Sequence, residues 1–291
     1  LIFLSVLAGA LLFGAIVAYP VYSVLAHFNE VPFHKVISRT TSLSGLLFAI
    51  LYLRFYGLLS KEGLAWNTGR QTKTKMFVSG FIGGLIILFV LDGALLLLGI
   101  YQFDARVDWQ AINLLKIAFK ALMTGMLVGL VEEIIFRGAL FGGLSKQANA
   151  SVALLVTSLE YAAVHFLKYR AVPADVDIGW LTGVDIFPAA LFRFSNPVTI
   201  DSFITLFILG VLFALIRIRS GSIIACIGLH AGIVATLKFF NYLTNYSGGT
   251  QYDFLVNKID HQFGYLASGL LLIATVIYLL SSRMISSQKS S

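Results

Sequence analysis

The chain has 291 residues, of which 58% are hydrophobic and only 12% are charged. Soluble domains are about 45–50% apolar and about 25% charged, so this composition could not cover a water-exposed surface. It excludes a soluble enzyme and a disordered protein, and a single cysteine, Cys226, excludes a disulfide-rich secreted module. The excess of 21 Lys and Arg over 14 Asp and Glu fits anionic lipid headgroups, and we expect no nucleic-acid partner. The sequence predicts an all-α, polytopic integral membrane protein.

Eight apolar segments are candidates for membrane-spanning helices, each of which needs about 20 mostly apolar residues. They are residues 1–25, 43–59, 76–100, 114–144, 152–167, 200–218, 222–240 and 264–281. We expect the first to kink or end near Pro20, because proline interrupts helical hydrogen bonding. The fourth is longer than a bilayer requires, which predicts an interfacial stretch at its start.

The charges between these segments predict the orientation of the chain, because cytoplasmic loops carry an excess of Lys and Arg. With the N-terminus inside, the inner loops hold nine basic residues and one acid, Glu62, whereas the outer loops hold seven basic residues and nine acids. An even number of spans then places both termini in the cytoplasm. We expect a multi-pass protein of a prokaryotic plasma (inner) membrane.

The segments divide into three predicted regions. Residues 1–112 form N-terminal transmembrane helices with a basic cytoplasmic loop, residues 113–245 form a central core, and residues 246–291 form a loop and the last transmembrane helix. The longest connection, residues 168–198, contains three of the five prolines and several aromatic residues. It is either a re-entrant element or cap over a site, or an ordinary external loop with aromatic anchors.

Ionisable residues inside the apolar segments are the candidates for function. Each costs about 2.5–3.5 kcal/mol at the centre of a membrane helix, so each should have a partner or a role. They are Arg54, Asp92, Glu132, Glu133, Arg137, Glu160, His165, His230 and Lys238. Arg54 and Lys238 lie near span ends, where a long side chain reaches the headgroups. Asp92 lies deep in the third span, as a structural hydrogen-bond anchor or the partner of a basic group.

Two adjacent acids, Glu132 and Glu133, stand in the fourth apolar segment. Glu133 and Arg137 are four residues apart with the acid first, which predicts an ion pair on one helix face. Glu132 points about 100° away from that face and is left for proton chemistry. The alternative is a structural polar network that joins helices.

Two histidines accompany these acids on other predicted helices. Tyr161 and His165 share a helix face, and His230 is flanked by Gly228 and Gly232, which allow a close approach. Acids and histidines on three helices suit the activation of a water molecule, with a second group to stabilise an oxyanion. They are also ordinary zinc ligands. No His-Glu-x-x-His run is present, so zinc is not favoured and we expect no cofactor.

At these residues the chain resembles the CAAX-prenyl-endopeptidase and bacteriocin-processing (CPBP, or abortive-infection) family of intramembrane glutamic proteases. The family is marked by Glu-Glu-x-x-x-Arg, an aromatic-x-x-x-His and His-x-x-x-Asn/Asp on successive helices. Glu132-Glu133-x-x-x-Arg137 is complete, and Tyr161-x-x-x-His165 has tyrosine where phenylalanine is commoner. The third motif has Val234 four residues after its histidine, in place of Asn or Asp. The matching region is residues 120–240.

This resemblance implies a helical core with a polar cavity open to one side of the bilayer, and an endopeptidase activity without a metal. Glu132 and His165 would activate the water that attacks a peptide bond, and His230 would serve the oxyanion hole. Glu133 and Arg137 would form a charge pair in the site, and Tyr161 would line it. The implied partners are the lipid bilayer and a membrane-associated, prenylated or leader-type peptide.

Val234 leaves alternatives open. Loss of one oxyanion donor typically lowers a rate by about 10²–10³. The protein is then a slow enzyme, an enzyme that takes a donor from another helix, or a non-catalytic scaffold or bacteriocin-immunity protein that uses the same cavity for binding. A transporter is disfavoured, because no inverted repeat and no paired Gly/Pro-interrupted spans are visible.

Overall fold

Helices dominate the fold in the computed structural model of the chain. The structure describes residues 2–28, 31–60, 64, 66, 69–166, 169, 172, 176–188 and 199–287. In chain order, helices α1 to α10 are Ile2–Ala26, Phe33–Phe55, Arg70–Leu97, Ala111–Glu133, Phe141–Gln147, Ala150–Val164, Thr182–Asp185, Ile200–Ser220, Ile224–Leu243 and Tyr265–Ser287. A π-helix, Ile134–Leu140, joins α4 to α5, and a 3-10 helix spans Asp253–Leu255. Two short strands, β1 (Tyr101–Phe103) and β2 (Thr244–Tyr246), pair antiparallel. The prediction of an all-α protein is confirmed.

Among the residues that the structure describes, six helical segments are long and apolar enough to cross a membrane. They are Ala8–Ala26, Phe33–Phe55, Gln71–Leu97, Ala111–Gln147, Ile200–Ser220 and Ile224–Leu243. Two further apolar helices, Ala150–Val164 and Tyr265–Ser281, are shorter than a usual span. The chain is therefore an integral multi-pass membrane protein, and the number of eight spans stays a prediction.

Two predicted helix ends differ from the observed ones. Helix α1 continues through Pro20 to Ala26, so the alternative in which it ends near Pro20 is wrong. Helix α2 begins at Phe33, ten residues before the apolar segment that predicted it. Its first half is polar, but its hydroxyls bond back to carbonyls of the same helix, as Thr41 Oγ1 does to Ile37 O at 2.7 Å. This bonding satisfies the hydroxyls without water, so the helix extends beyond the apolar segment.

The first of two compact units contains Leu1–Ser60 and Ala163–Pro197. Helices α1 and α2 pack together in it, and Thr40 Oγ1 donates to Gly14 O at 2.9 Å. Within the predicted 168–198 connection the structure describes mainly residues 176–188, which include α7. The re-entrant, cap and loop interpretations of that connection, and the division of the chain into three regions, stay predictions.

The second unit contains Lys61–Ala162 and Val198–Ser291, and its centre is α9. This helix packs against α3 and α4 with the backbones in contact. Each of the three helices carries a pair of glycines four residues apart, a spacing typical of close helix packing in membranes. The pairs are Gly80 and Gly84, Gly125 and Gly129, and Gly228 and Gly232. A Cβ atom on Gly84 would collide with Leu229 O, and one on Gly228 would collide with Phe77 O. The glycines therefore bring α9 into direct contact with both neighbours.

The two ends of the second unit differ in charge. One end holds the start of α3 and the end of α8, with Lys73 and Arg219 among its basic residues. The opposite end is rich in acids, and there Ser202 Oγ donates to Asp260 Oδ2 at 3.1 Å. The Asp92 carboxyl is buried towards this end, and neither of its oxygens makes a hydrogen bond within the described part of the chain. Both interpretations of Asp92, as a structural anchor and as the partner of a basic group, stay predictions.

Candidate active site

The site lies where the last turn of α4 meets the second turn of α9. Glu132 and Glu133 end α4, and His230 is the seventh residue of α9. One turn before the acids, a Cβ atom on Gly129 would lie 3.0 Å from Ile227 O and 3.3 Å from His230 Cβ. Because only glycine allows this approach without a shift of the backbone, Gly129 brings the acids of α4 beside the histidine of α9.

Glu133 lies between an arginine and a histidine. Its Oε2 is 3.5 Å from Arg137 Nε, which is the ion pair that the i,i+4 spacing predicts. Its Oε1 is 2.9 Å from His230 Nδ1, a contact that the sequence did not indicate. All three side chains are buried. An ionised carboxylate only accepts hydrogen bonds, so Nδ1 donates to Glu133 and Nε2 is the nitrogen left for chemistry.

Glu132 faces that second nitrogen. Its Oε2 is 3.8 Å from His230 Nε2, beyond a direct hydrogen bond. The Glu132 side chain is 26% exposed, whereas that of Glu133 is fully buried. Of the two acids, Glu132 is therefore the one that water or a substrate can reach.

Arg137 is fully buried, and its charge is stabilised by several partners. Besides its ion pair, Nη2 donates to Gly210 O of α8 at 3.1 Å. Its guanidinium lies over the rings of Tyr161 and Phe213, at 4.5 and 4.7 Å from their centroids. Such contacts stabilise a cation that has left water.

The same rings surround the histidine. Phe213 stacks on the His230 ring with centroids 5.1 Å apart and planes at 23°. The buried Tyr161 meets the imidazole edge-on at 6.3 Å. Tyr161 and Phe213 therefore both contact the His230 ring, and these aromatic residues restrict the orientation of the imidazole.

The remaining two predicted positions are His165 and Val234. His165 follows the end of α6 at Val164, is half-buried, and belongs to the first unit, whereas Glu132 and His230 belong to the second. Its pairing with Glu132 stays a prediction. Val234 lies one helical turn after His230 and brings no polar side-chain atom to the site.

Sequence reasoning missed the contribution of α8 and the π-helix. Phe213 and Arg217 were assigned only to an apolar segment and to the basic cytoplasmic side. Their spacing of four residues places both side chains on one face of α8. That shared face is the signal that could have indicated a common contribution to the site. The π-helix falls within a segment that the sequence predicts as one continuous helix.

The sequence leaves open a zinc site with Glu132, His165 and His230 as ligands. In the part of the chain that the structure describes, no group of three or more His, Cys, Asp or Glu side chains could hold a metal ion. The expectation of a reaction without a cofactor stays a prediction.

Comparison with known proteins gives a family match that lies in the core. Residues 114–236 match the family described as Type II CAAX prenyl endopeptidase Rce1-like. These residues form an Rce1-like domain. The match includes all three motifs and confirms the CPBP-type resemblance predicted for residues 120–240. No curated protein and no solved structure gives a significant match to the chain. The Rce1-like family is one of peptidases, which associates this domain with CAAX-type protease activity in the membrane.

The Rce1-like domain should lose stability when Glu133 is replaced by Gln. The amide can still accept from His230, but Arg137 is left as a buried charge without its carboxylate. Breaking a buried pair in this way costs about 3–5 kcal/mol. We expect that loss in the free energy of unfolding, measured by SDS titration in detergent micelles.

Asp104→Asn is the matched control for Glu133→Gln, because it also removes one carboxylate beside an arginine. Asp104 pairs with Arg106 at 2.8 Å, but the Arg106 side chain is 81% exposed, so its charge stays in contact with water. We expect little change in stability from the control, since exposed ion pairs contribute little. Equal losses from the two substitutions would contradict a special role for the buried pair.

Proposed function

We propose that the protein is an intramembrane glutamic endopeptidase, in which Glu132 activates a water molecule to hydrolyse a peptide bond. The observation that supports this proposal best is the arrangement of His230 between two carboxylates inside the Rce1-like domain. One carboxylate, Glu133, is buried and orients the imidazole. The other, Glu132, is partly exposed and stands opposite the second imidazole nitrogen.

In the proposed mechanism Glu132 takes a proton from water while the water oxygen attacks the peptide carbonyl, and then gives the proton to the leaving amine nitrogen. His165 would assist Glu132. The oxyanion formed on the carbonyl oxygen would be stabilised by His230 through Nε2. Nε2 donates only when the ring carries both protons, and in that form Nδ1 keeps its hydrogen bond to the Glu133 carboxylate.

A charged donor such as protonated His230 matters because Val234 stands where the family motif has Asn or Asp. Hydrogen bonds from ionised groups are roughly twice as strong as those between neutral groups. An imidazolium at His230 would therefore replace part of the stabilisation that Asn or Asp at position 234 would supply. The second candidate function, a non-catalytic scaffold or bacteriocin-immunity protein, is favoured by the same Val234 if this replacement is insufficient.

We propose a membrane-associated, prenylated or leader-type peptide as the substrate, and a prokaryotic plasma membrane as the location. The site lies towards the end of the second unit where α3 begins and α8 ends, which is its basic end. By the positive-inside rule this end faces the cytoplasm, so both termini would be cytoplasmic and the substrate would enter from that side.

The test is cleavage by the purified protein in liposomes, with peptides that do and do not carry a prenyl group. In water enriched in ¹⁸O, we expect mass spectrometry to show one ¹⁸O atom in the new carboxyl terminus, as hydrolysis requires. Peptide binding without cleavage would overturn the proposal and support the scaffold.

A further inference from the structure

The arginine of the site is tied to α8 by two hydrogen bonds of opposite direction. The Arg137 side chain donates from the π-helix to Gly210 O of α8. In return the Arg217 side chain of α8 donates from Nε to the backbone oxygen of Arg137 at 3.3 Å. Each helix thus supplies one guanidinium and one carbonyl, and the two bonds together fix both the backbone and the side chain of Arg137.

Arg217 also contacts the end of the π-helix. Its guanidinium lies 5.8 Å from the ring centroid of Phe141, the first residue after the π-helix. A π-helix is rare and is found mostly as a single turn inserted into an α-helix at functional sites. Its extra residue rotates everything that follows by about 100° relative to a continuous α-helix. Arg217 therefore contacts both the middle of this turn and the point where α-helical bonding resumes.

The Gly210 carbonyl, which accepts the hydrogen bond from Arg137, lies where two helices pack tightly. A Cβ atom on Gly210 would lie 3.0 Å from Ser158 Cα of α6, so α6 packs directly on α8 at this residue. Ser158 Oγ bonds within its own helix, to Leu154 O at 2.7 Å. The Ser158 hydroxyl thus does not compete with Arg137 for the Gly210 carbonyl, and the tight packing leaves little space for the backbone of Gly210 to move.

We propose that Arg217 is a positioning residue of the active site. It holds the π-helix in the register in which Arg137 forms its ion pair with Glu133. That ion pair in turn keeps Glu133 in place for its hydrogen bond to His230. The proposal rests on the proposed function, because positioning matters only if His230 acts in catalysis. Arg217 touches no reacting atom. Its effect passes through the Arg137 backbone, the 3.5 Å ion pair and the 2.9 Å hydrogen bond to Nδ1.

Arg219 provides a matched control on the same helix. It too donates to a backbone carbonyl, Tyr278 O at 2.9 Å, and lies over an aromatic ring, that of Tyr278 at 5.3 Å. Its partners belong to α10, not to the π-helix. Arg217→Met and Arg219→Met therefore remove the same kind of contact, with and without a connection to the site.

The experiment measures cleavage by the liposome-reconstituted protein, with rates normalised to the folded fraction. We expect Arg217→Met to lower kcat by about 10- to 100-fold with little change in KM, because a small misplacement of catalytic groups has an effect of this size. Arg217→Lys should restore part of the rate, and Arg219→Met should keep it. Unchanged kcat in Arg217→Met, or equal losses in the two Met variants, would overturn the proposal.

A second measurement separates this proposal from the proposed function. In protein labelled with ¹⁵N-histidine, the ring signals of His230, assigned by their loss in His230→Gln, should shift in Arg217→Met and stay in place in Arg219→Met. If the wild type cleaves no peptide, the proposed function fails, whereas the positioning of His230 is still decided by these signals. A His230 spectrum unaffected by Arg217→Met would overturn the positioning role.

Discussion

Replacement of Glu132 by Gln should lower kcat by about 10²–10⁴, the usual contribution of a general acid–base residue. Gln has the shape of Glu but cannot take a proton from water. The partly exposed Glu132 makes no direct hydrogen bond to His230, so the substitution should leave the Glu133–His230 contact and the fold in place. The measurement is the rate of peptide cleavage in liposomes, together with the melting temperature.

Glu160→Gln is the control for this substitution. Glu160 is a half-buried glutamate in the same unit, on α6, and has no place in the proposed mechanism. The chemical change is identical, so we expect its rate to stay within about twofold of the wild type. A Glu132→Gln variant that keeps its activity would contradict the glutamate mechanism, and equal losses in both variants would show that the effect is not specific to Glu132.

Replacement of Gly84 by Ala should cause a large loss of stability. The added methyl group would overlap with Leu229 O and lie 2.8 Å from Ile233 N, both backbone atoms of α9 that cannot turn aside as a flexible side chain can. Overpacking costs about 1–3 kcal/mol, and a clash against backbone belongs at the upper end of that range. We expect such a fall in the free energy of unfolding, and a lower kcat as α9 shifts with His230.

Gly93 lies on the same helix and offers the matched control. Nothing lies within 4 Å of the Cβ position there, so Gly93→Ala only exchanges a poor helix former for a good one. That exchange is worth about 0.5–1 kcal/mol in favour of the helix. We therefore expect the free energy of unfolding to fall in Gly84→Ala and to rise in Gly93→Ala. A Gly84→Ala variant as stable as the wild type would contradict the close packing of α3 on α9.

The parts that sequence reasoning predicts well are those governed by local periodicity. Long apolar runs indicated the membrane helices, because length and hydropathy decide whether a segment can span a bilayer. The i,i+4 spacing predicted the Glu133–Arg137 pair, because both residues belong to one helical turn. The start of α2 was missed, because its polar residues satisfy their hydroxyls within the helix and so extend it beyond the apolar run.

The parts that could not be predicted depend on contacts between distant residues. His230 and Glu133 are 97 positions apart, and their hydrogen bond exists because glycines on α4 and α9 allow the helices to touch. The π-helix is similar, because its register depends on two bonds to α8, 73 and 80 positions away. Glycine spacing indicates that α4 and α9 pack closely, but sequence spacing does not show which polar residues of distant helices then meet.

The central claim is that Glu132 and His230 act as one catalytic unit on the same water and peptide carbonyl. The most direct test is a double-mutant cycle of Glu132→Gln and His230→Gln, with cleavage of a fluorogenic peptide measured at saturating concentration. Residues that act as a unit are strongly non-additive, so the double variant should be no slower than the slower single variant. A double variant slowed by the product of the two single losses would contradict the account.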